Sequence, residues 1–279
     1  IMSNFLRVYQ HFPLYLNPTF KIGFFSISWY SVMYLVGFFI VFLLLLYRIK
    51  RGEWQNKNYK FESKIITDLL LYCFFGLLVG ARLGHVFFYN FSYFVNNPLE
   101  IISPFDPVTH EFIGIYGMSY HGGLIGILIA GLIFARRYRI DFWSLSDFVV
   151  PAVPAGYFFG RVGNFINNEL YGKITKKPWG MHFKNFSSEL RHPSQLYEAF
   201  LEGVVLFLFL WIVRNKKIFK NKFFGLYIVS YGIIRFVCEF FRESDETINF
   251  LTDYITLGQW LSLIMIFLGM FIVALKIKN

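Results

Sequence analysis

"VVPAVPAGYFFGRVGNFINNELYG", residues 149–172, runs an apolar segment straight into an arginine, three asparagines and a glutamate. The apolar half reads as a helix buried in lipid. The polar half is either that helix reaching the membrane surface or one wall of a site. Asn168 and Glu169 fit the first reading, whereas Arg161 fits it poorly, and the rest of the chain decides between them.

The 279 residues are 56% hydrophobic, 22% aromatic and 16% charged. Soluble domains carry about 25% charge, so this balance belongs to a membrane protein. A crossing helix needs roughly 20 apolar residues at about 1.5 Å each. Windows 25–47, 112–135 and 254–275 contain no Lys, Arg, Asp or Glu, and windows 65–88, 147–167, 196–213 and 223–241 are apolar but punctuated. Continuous runs without two-residue alternation argue against a membrane β-barrel. The expectation is an all-α, polytopic integral membrane protein of about seven transmembrane helices. Residues 1–24 form an extracytoplasmic N-terminal segment, residues 25–275 a single transmembrane catalytic domain, and about 168–192 an extracytoplasmic loop or head. The first apolar run is too long for a cleavable signal peptide and lacks a small-residue cleavage site.

Net charge is +10, and its placement matters more than its size. Of 27 Lys and Arg, 16 follow the first, third, fifth and seventh windows (Arg48 to Lys64, Arg136 to Arg139, Arg214 to Lys222, Lys276 and Lys278). Only 8 fall on the other loops. That bias puts the N-terminus outside and the C-terminus in the cytoplasm. The basic loops therefore read as topology signals and contacts to anionic membrane lipids, not as a nucleic-acid surface. Cys73 and Cys238 both lie inside predicted spans, which implies neither a disulfide framework nor a metal cluster.

The remaining three basic residues, Arg82, Arg161 and Arg235, lie within spans, where an arginine costs several kcal/mol and needs a partner or a task. Counting the helical rise from the cytoplasmic edge places Arg82 and Arg161 about 21 Å up a core about 30 Å thick, and Arg235 about 18 Å up. His121 comes about 13 Å below the outer edge by the same rise, and Tyr30 lies near the outer end of the first span. A polar pocket opening to the outer leaflet follows. Spans two and four share Asp-x13-Arg-x-Gly-polar, as "RLGH" at 82–85 and "RVGN" at 161–164.

Tyr231, Arg235 and Glu239 recur at i, i+4 and i+8, on one helical face, with Arg235 and Glu239 set for an in-helix ion pair. His121 stands beside Gly122 and Gly123, which allow close approach of a helix or ligand; its neutral imidazole suits a general base. No second histidine stands at i+4, so no helical zinc site is indicated. Gly160 and Gly163 thin the fourth helix, and Arg161, Asn164 and Asn167 offer donors. The planar guanidinium fork suits phosphate oxygens, and Glu169 is placed to orient an arginine. In "RHPSQLYEAFLEG", residues 191–203, Pro193 suits a first helical turn, Ser194 a cap, and Glu198 and Glu202 a shared face as partners of the arginines. Arg82 and His85 divide between structural pairing and a lipid-headgroup contact.

At these residues the chain resembles the prolipoprotein diacylglyceryl transferases. "WYSVMYLVG", "GARLGHVFFYN", "YGMSYHGGLIG", "GRVGNFINNELYG", "HPSQLYE" and "YGIIRFVCEFFR" stand in the family's order over nearly the whole chain. Asn168 replaces the family's usual Gly, which is expected to alter the turn after Asn167, and loop 173–192 is weakly alike. The resemblance implies transfer of the diacylglyceryl group of phosphatidylglycerol to the lipobox cysteine of a prolipoprotein signal peptide. Glycerol 1-phosphate leaves, with no cofactor and no metal, at the bacterial cytoplasmic membrane. It implies that His121, Arg161 and Arg235 are essential, and that Tyr30, Asn164, Glu169, Gly172, Tyr231 and Glu239 shape the site. Arg82 joins the substrate-binding candidates. His121 would take the thiol proton while the arginines clamp the phosphate. A transporter or flippase for an anionic lipid or solute is the competing class, and the mostly apolar inner halves of the spans argue against it.

Overall fold

The computed structural model describes residues 2–23, 25–54, 62–105, 117–243 and 255–275. Its elements, in chain order, are α1 (Met2–His11), β1 (Thr19–Ile22), β2 (Phe25–Ser28), α2 (Trp29–Lys50), α3 (Ser63–Phe88), α4 (Phe91–Asn96), α5 (Tyr120–Arg137), α6 (Phe142–Val149) and α7 (Val153–Ile166). They continue as β3 (Met181–Phe183), β4 (Phe186–Arg191), α8 (Ser194–Glu198), a π-helical turn (Ala199–Val205), α9 (Leu206–Val213), α10 (Phe223–Cys238) and α11 (Leu257–Leu275). Two compact units result: Trp54–Leu145 is one, and Ile1–Glu53 with Ser146–Asn279 is the other.

Helices run through all seven apolar windows. Four of them are long and apolar enough to cross a membrane: Trp29–Lys50, Ser63–Phe88, Ser194–Val213 and Leu257–Leu275; α10 is shorter. Their outward faces are large and apolar, as at Leu35, Phe39 and Leu43 on α2 and Ile264, Phe267 and Phe271 on α11. Water would leave such surface unsatisfied, and lipid tails suit it. Lys57, Lys60, Lys276, Lys278 and residues 112–116 of the third window lie outside the described residues.

The all-helical expectation needs one correction. Two antiparallel hairpins are present, β1 with β2 (Thr19 opposite Ser28, Ile22 opposite Phe25) and β3 with β4 (Met181 opposite Arg191, Phe183 opposite Phe186). Strands of three to six residues leave no signal of the length that marks a span. Within the larger unit, Phe165, Met181 and Phe183 form a small core with Tyr9 and Leu16, so the N-terminal segment is packed on the β3–β4 hairpin. The Tyr9 hydroxyl donates to Trp179 O at 3.1 Å, and Gln10 Nε2 donates to Pro178 O at 3.1 Å.

Helix pairing relies on glycine, because apolar side chains gain nothing from leaving lipid and close backbone contact must supply the attraction. In the smaller unit a Cβ on Gly80 would collide with Gly122 O, and one on Gly84 would lie 2.7 Å from Gly122 Cα. Ser119 caps α5 by accepting from Gly122 N at 3.2 Å, and its own N–H donates to Ala81 O at 2.8 Å. In the larger unit Gly37 meets Gly156 between α2 and α7, Gly225 meets Gly269 between α10 and α11, and Gly203 of the π turn meets Phe158. Any of these as alanine would push two helices apart.

The two aspartates of the Asp-x13-Arg pattern, Asp68 and Asp147, have structural tasks. Asp147 accepts from the backbone N–H groups of Asn221 and Phe223 at the start of α10, where a carboxylate is favoured by the helix dipole. Asp68 accepts from the Tyr138 hydroxyl at 2.7 Å. Arg48 and Arg214 converge on Glu53, at 2.8 Å and 3.0 Å.

Candidate active site

In the larger unit the sequence-selected residues of α7, α8 and α10 meet at one carboxylate. Glu198, 1% exposed, lies 2.8 Å from Arg161 Nε and 3.1 Å from Arg235 Nη1, with Arg242 Nη1 at 3.9 Å. Glu202, one helical turn on, is 3.8 Å from Arg235. Arg235 Nη2 donates to Glu239 at 2.8 Å, the in-helix pair expected from the i, i+4 spacing. Two guanidinium groups are thus fixed on one acidic hub, in a setting where charges must be paired to be tolerated.

Tyr157 and Asn164 aim Arg161. Its Nε donates to the Tyr157 hydroxyl at 2.6 Å, its Cζ lies 4.9 Å above the Tyr157 ring, and its Nη1 donates to Asn164 Oδ1 at 3.2 Å. Asn164 Nδ2 donates to Glu169 Oε1 at 2.8 Å. Glu169 is thus linked to Arg161 through Asn164 and not by direct contact. The Tyr157 and Tyr231 hydroxyls lie 3.3 Å apart, which joins α7 to α10. Tyr30, in the first turn of α2, donates to Tyr34 at 3.0 Å, and its ring lies so close to Gly163 that a Cβ there would sit 3.1 Å from Tyr30 Cδ2.

Gly172 is held by close approach. Its N–H donates to His192 O at 2.8 Å, its carbonyl accepts from Arg191 Nη1 at 3.2 Å, and a Cβ would strike Phe241 O. His192 contacts the Tyr197 hydroxyl at 3.0 Å, and its ring is held below the ordinary imidazole range by burial and then by the charge of Lys177. The Arg191 Cζ lies over the rings of Tyr171 and Phe186, at 5.2 Å and 4.2 Å, where the two rings meet edge to face, and Arg191 reaches Glu243 at 2.9 Å.

One expectation from the sequence changes here. Ser194 does not cap α8: Pro193 occupies the cap position without a side-chain bond, and the Ser194 hydroxyl donates to Leu170 O at 2.9 Å. The hydroxyl is drawn off because Leu170, at φ 55°, turns its carbonyl towards α8. Asn168 is the residue expected to alter the turn after Asn167. It sits at φ 56°, the left-handed region that glycine favours and that asparagine tolerates best among the other residues. Its buried side chain donates to Pro13 O at 3.1 Å and accepts from Lys184 N at 3.2 Å, tying the N-terminal segment to the hairpin.

Arg82, His85 and His121 belong to the smaller unit. The Arg82 guanidinium donates to Ile101 O at 2.7 Å and Glu100 O at 2.6 Å and lies 4.9 Å over the Phe94 ring, so the structural-pairing half of its expectation is realised. His85 faces Gly117, which has φ 77° and whose missing Cβ leaves room for the imidazole. His121 lies in the first turn of α5 with an exposed ring, edge-on to Tyr120 at 5.6 Å.

Sequence reading passed over Tyr157, Arg242 and the π turn. Tyr157 stands four residues before Arg161 and was accessible from spacing alone. Arg242 lies past the end of α10, and nothing in its neighbours announces a contact with Glu198. Beside Glu202, an apolar cleft of ≈ 150 Å³ is lined by Ala155, Phe158, Phe159, Gly203, Val204 and Phe207.

Comparison with known proteins adds the following. The family model described as "Prolipoprotein diacylglyceryl transferase" matches residues 17–275. A phosphatidylglycerol–prolipoprotein diacylglyceryl transferase of Chlorobaculum tepidum is 44% identical over 272 residues, covering 96% of this chain and 92% of that protein. One from Bordetella avium is 43% identical, covering 92% and 93%. One from Campylobacter jejuni subsp. jejuni is 37% identical over 281 residues, covering 100% and 99%.

Proposed function

The chain belongs to the prolipoprotein diacylglyceryl transferase family, and on that premise we propose that it moves the diacylglyceryl group of phosphatidylglycerol onto the lipobox cysteine of an exported prolipoprotein, releasing glycerol 1-phosphate. The protein acts in the bacterial cytoplasmic membrane as one catalytic domain of seven spans, N-terminus outside, with its site open to the outer leaflet and the 168–192 region as an extracytoplasmic head. The observation that carries the reading is the pair of arginines, Arg161 buried and Arg235 partly so, held on Glu198 at 2.8 Å and 3.1 Å.

The chemistry asks for such a pair. The thiol, with an ordinary pKa near 8.5, must lose its proton before sulfur attacks the sp³ glyceryl carbon. A C–S bond forms, the C–O bond to phosphate breaks, and the phosphate oxygen keeps the electron pair. Negative charge thus grows on the phosphate, and guanidinium donors already fixed in place stabilise that growth more than they stabilise the bound lipid. Tyr157, Asn164 and Glu169 keep Arg161 aimed; Tyr231 and Glu239 do the same for Arg235. Tyr30 and Gly172 shape the walls. His121 takes the thiol proton, and the apolar cleft beside Glu202 suits an acyl chain.

Purified protein incubated with phosphatidylglycerol and a lipobox peptide should add a diacylglyceryl mass to the peptide. Arg161→Lys keeps the charge but loses the fork, and the loss of such a donor slows transfer about 10²-fold or more. A full rate in that variant removes the clamp from the reaction.

A further inference from the structure

The buried cluster around Glu198 holds more carboxylates than a site for an anion should tolerate. Arg161, Arg235 and Arg242 lie within 4 Å of Glu198, Glu202 or Glu239, and Glu169 joins as a fourth carboxylate through Asn164. Among the described residues, with every group ionised, three cations face four carboxylates, so these seven groups carry one negative charge before any ligand enters. A phosphodiester would double it, and transfer would add another charge as the monoester leaves. Like charges in a poorly hydrated interior repel far more strongly than in water.

Relief has to come at one of these carboxylates, and they are not equally held. Glu239 has Arg235 at 2.8 Å, Glu198 has Arg161 at 2.8 Å, and Glu169 accepts from Asn164. Among the described residues, the ion-pair partner of Glu202 is Arg235, at 3.8 Å. Its side chain is 0% exposed, and the Tyr157 side chain supplies it a hydrogen bond. The ionisable groups facing it are Glu198 on its own helix, Arg161 and Tyr157 on α7, and Arg235 and Cys238 on α10. A buried carboxylate whose paired cation stands as far off as 3.8 Å is the dearest charge to keep and the easiest to neutralise.

We propose that Glu202 is the proton-holding residue of the arginine clamp: binding of a phosphodiester anion draws a proton onto Glu202, so that Arg161 and Arg235 are free to grip phosphate. This deepens the transferase reading and rests on it for the identity of the anion. Glu202 acts through the arginines and is a positioning residue, not a catalytic one.

The test is calorimetric titration of the full chain in detergent at pH 7, in buffers of differing ionisation enthalpy, which counts protons taken up on binding. Two probes are used, short-chain phosphatidylglycerol and dimethyl phosphate, a phosphodiester monoanion with no proton of its own to exchange at that pH. Uptake approaching about one proton per anion is expected for the parent with both probes. Glu202→Gln, which mimics the neutral acid, should bind at least as tightly with uptake near zero. Binding by the parent without uptake overturns the proposal, as does undiminished uptake in Glu202→Gln. Uptake with dimethyl phosphate alongside no binding of phosphatidylglycerol keeps the proton site and removes the transferase reading instead.

Discussion

Glu198→Gln is the sharpest single test of the site. The substitution keeps the side-chain volume and removes the charge that Arg161 Nε at 2.8 Å, Arg235 Nη1 at 3.1 Å and Arg242 Nη1 at 3.9 Å all share. Removing one partner of a buried ion pair costs about 3–5 kcal/mol, because the charge left behind stays buried. Part of that cost falls on folding. Part falls on geometry, since two guanidinium groups without a carboxylate between them repel and swing apart. If about half of the cost reaches the transition state, at about 1.36 kcal/mol per tenfold, transfer slows by roughly 10- to 100-fold. The assay is the initial rate at which a lipobox peptide gains diacylglyceryl mass from phosphatidylglycerol micelles, with thermal unfolding of the same preparation followed separately. A rate within twofold of the parent together with an unmoved melting temperature would refute the hub.

Three further outcomes are expected. His121→Gln should slow transfer about 10²-fold or more; a near-normal rate ends its role as base. Gly80→Val places a branched side chain where even a Cβ meets Gly122 O, so α3 and α5 must separate, at a cost of about 1–3 kcal/mol read in the thermal melt. An unshifted melt would mean that the two helices are not seamed there. Glu53→Gln should show a pH-dependent deficit. Burial pushes the Glu53 carboxyl up, but hydrogen bonds and charge from Arg214 and Arg48 outweigh it and hold the group below its ordinary range. A depressed carboxylate contributes stability in full above the unfolded value of about 4.3 and loses it as pH falls through the folded value. Glu53→Gln should therefore melt below the parent at pH 7 and converge with it in acid, whereas a gap independent of pH would rule out the ion pairs as its source.

The sequence by itself determined the helical membrane class, because the length of an apolar run and the scarcity of charge within it are local properties set by bilayer thickness. It also determined which residues stand out, since an arginine inside such a run is conspicuous whatever surrounds it, and it determined the Arg235–Glu239 pair, since i, i+4 places two side chains on one face. The hub was beyond its reach. That Arg161 and Arg235 share Glu198 depends on α7, α8 and α10 packing together, and no spacing along the chain encodes that approach. The π turn after Glu198, the hairpins and the left-handed Asn168 were likewise decided in three dimensions. Each is fixed by contacts with residues far away in the chain, Phe158 for the first, Tyr9 for the β3–β4 hairpin and Pro13 for the last. Periodicity reports which face of a helix is apolar, whereas the partner that meets a polar face is chosen only when the helices close around it.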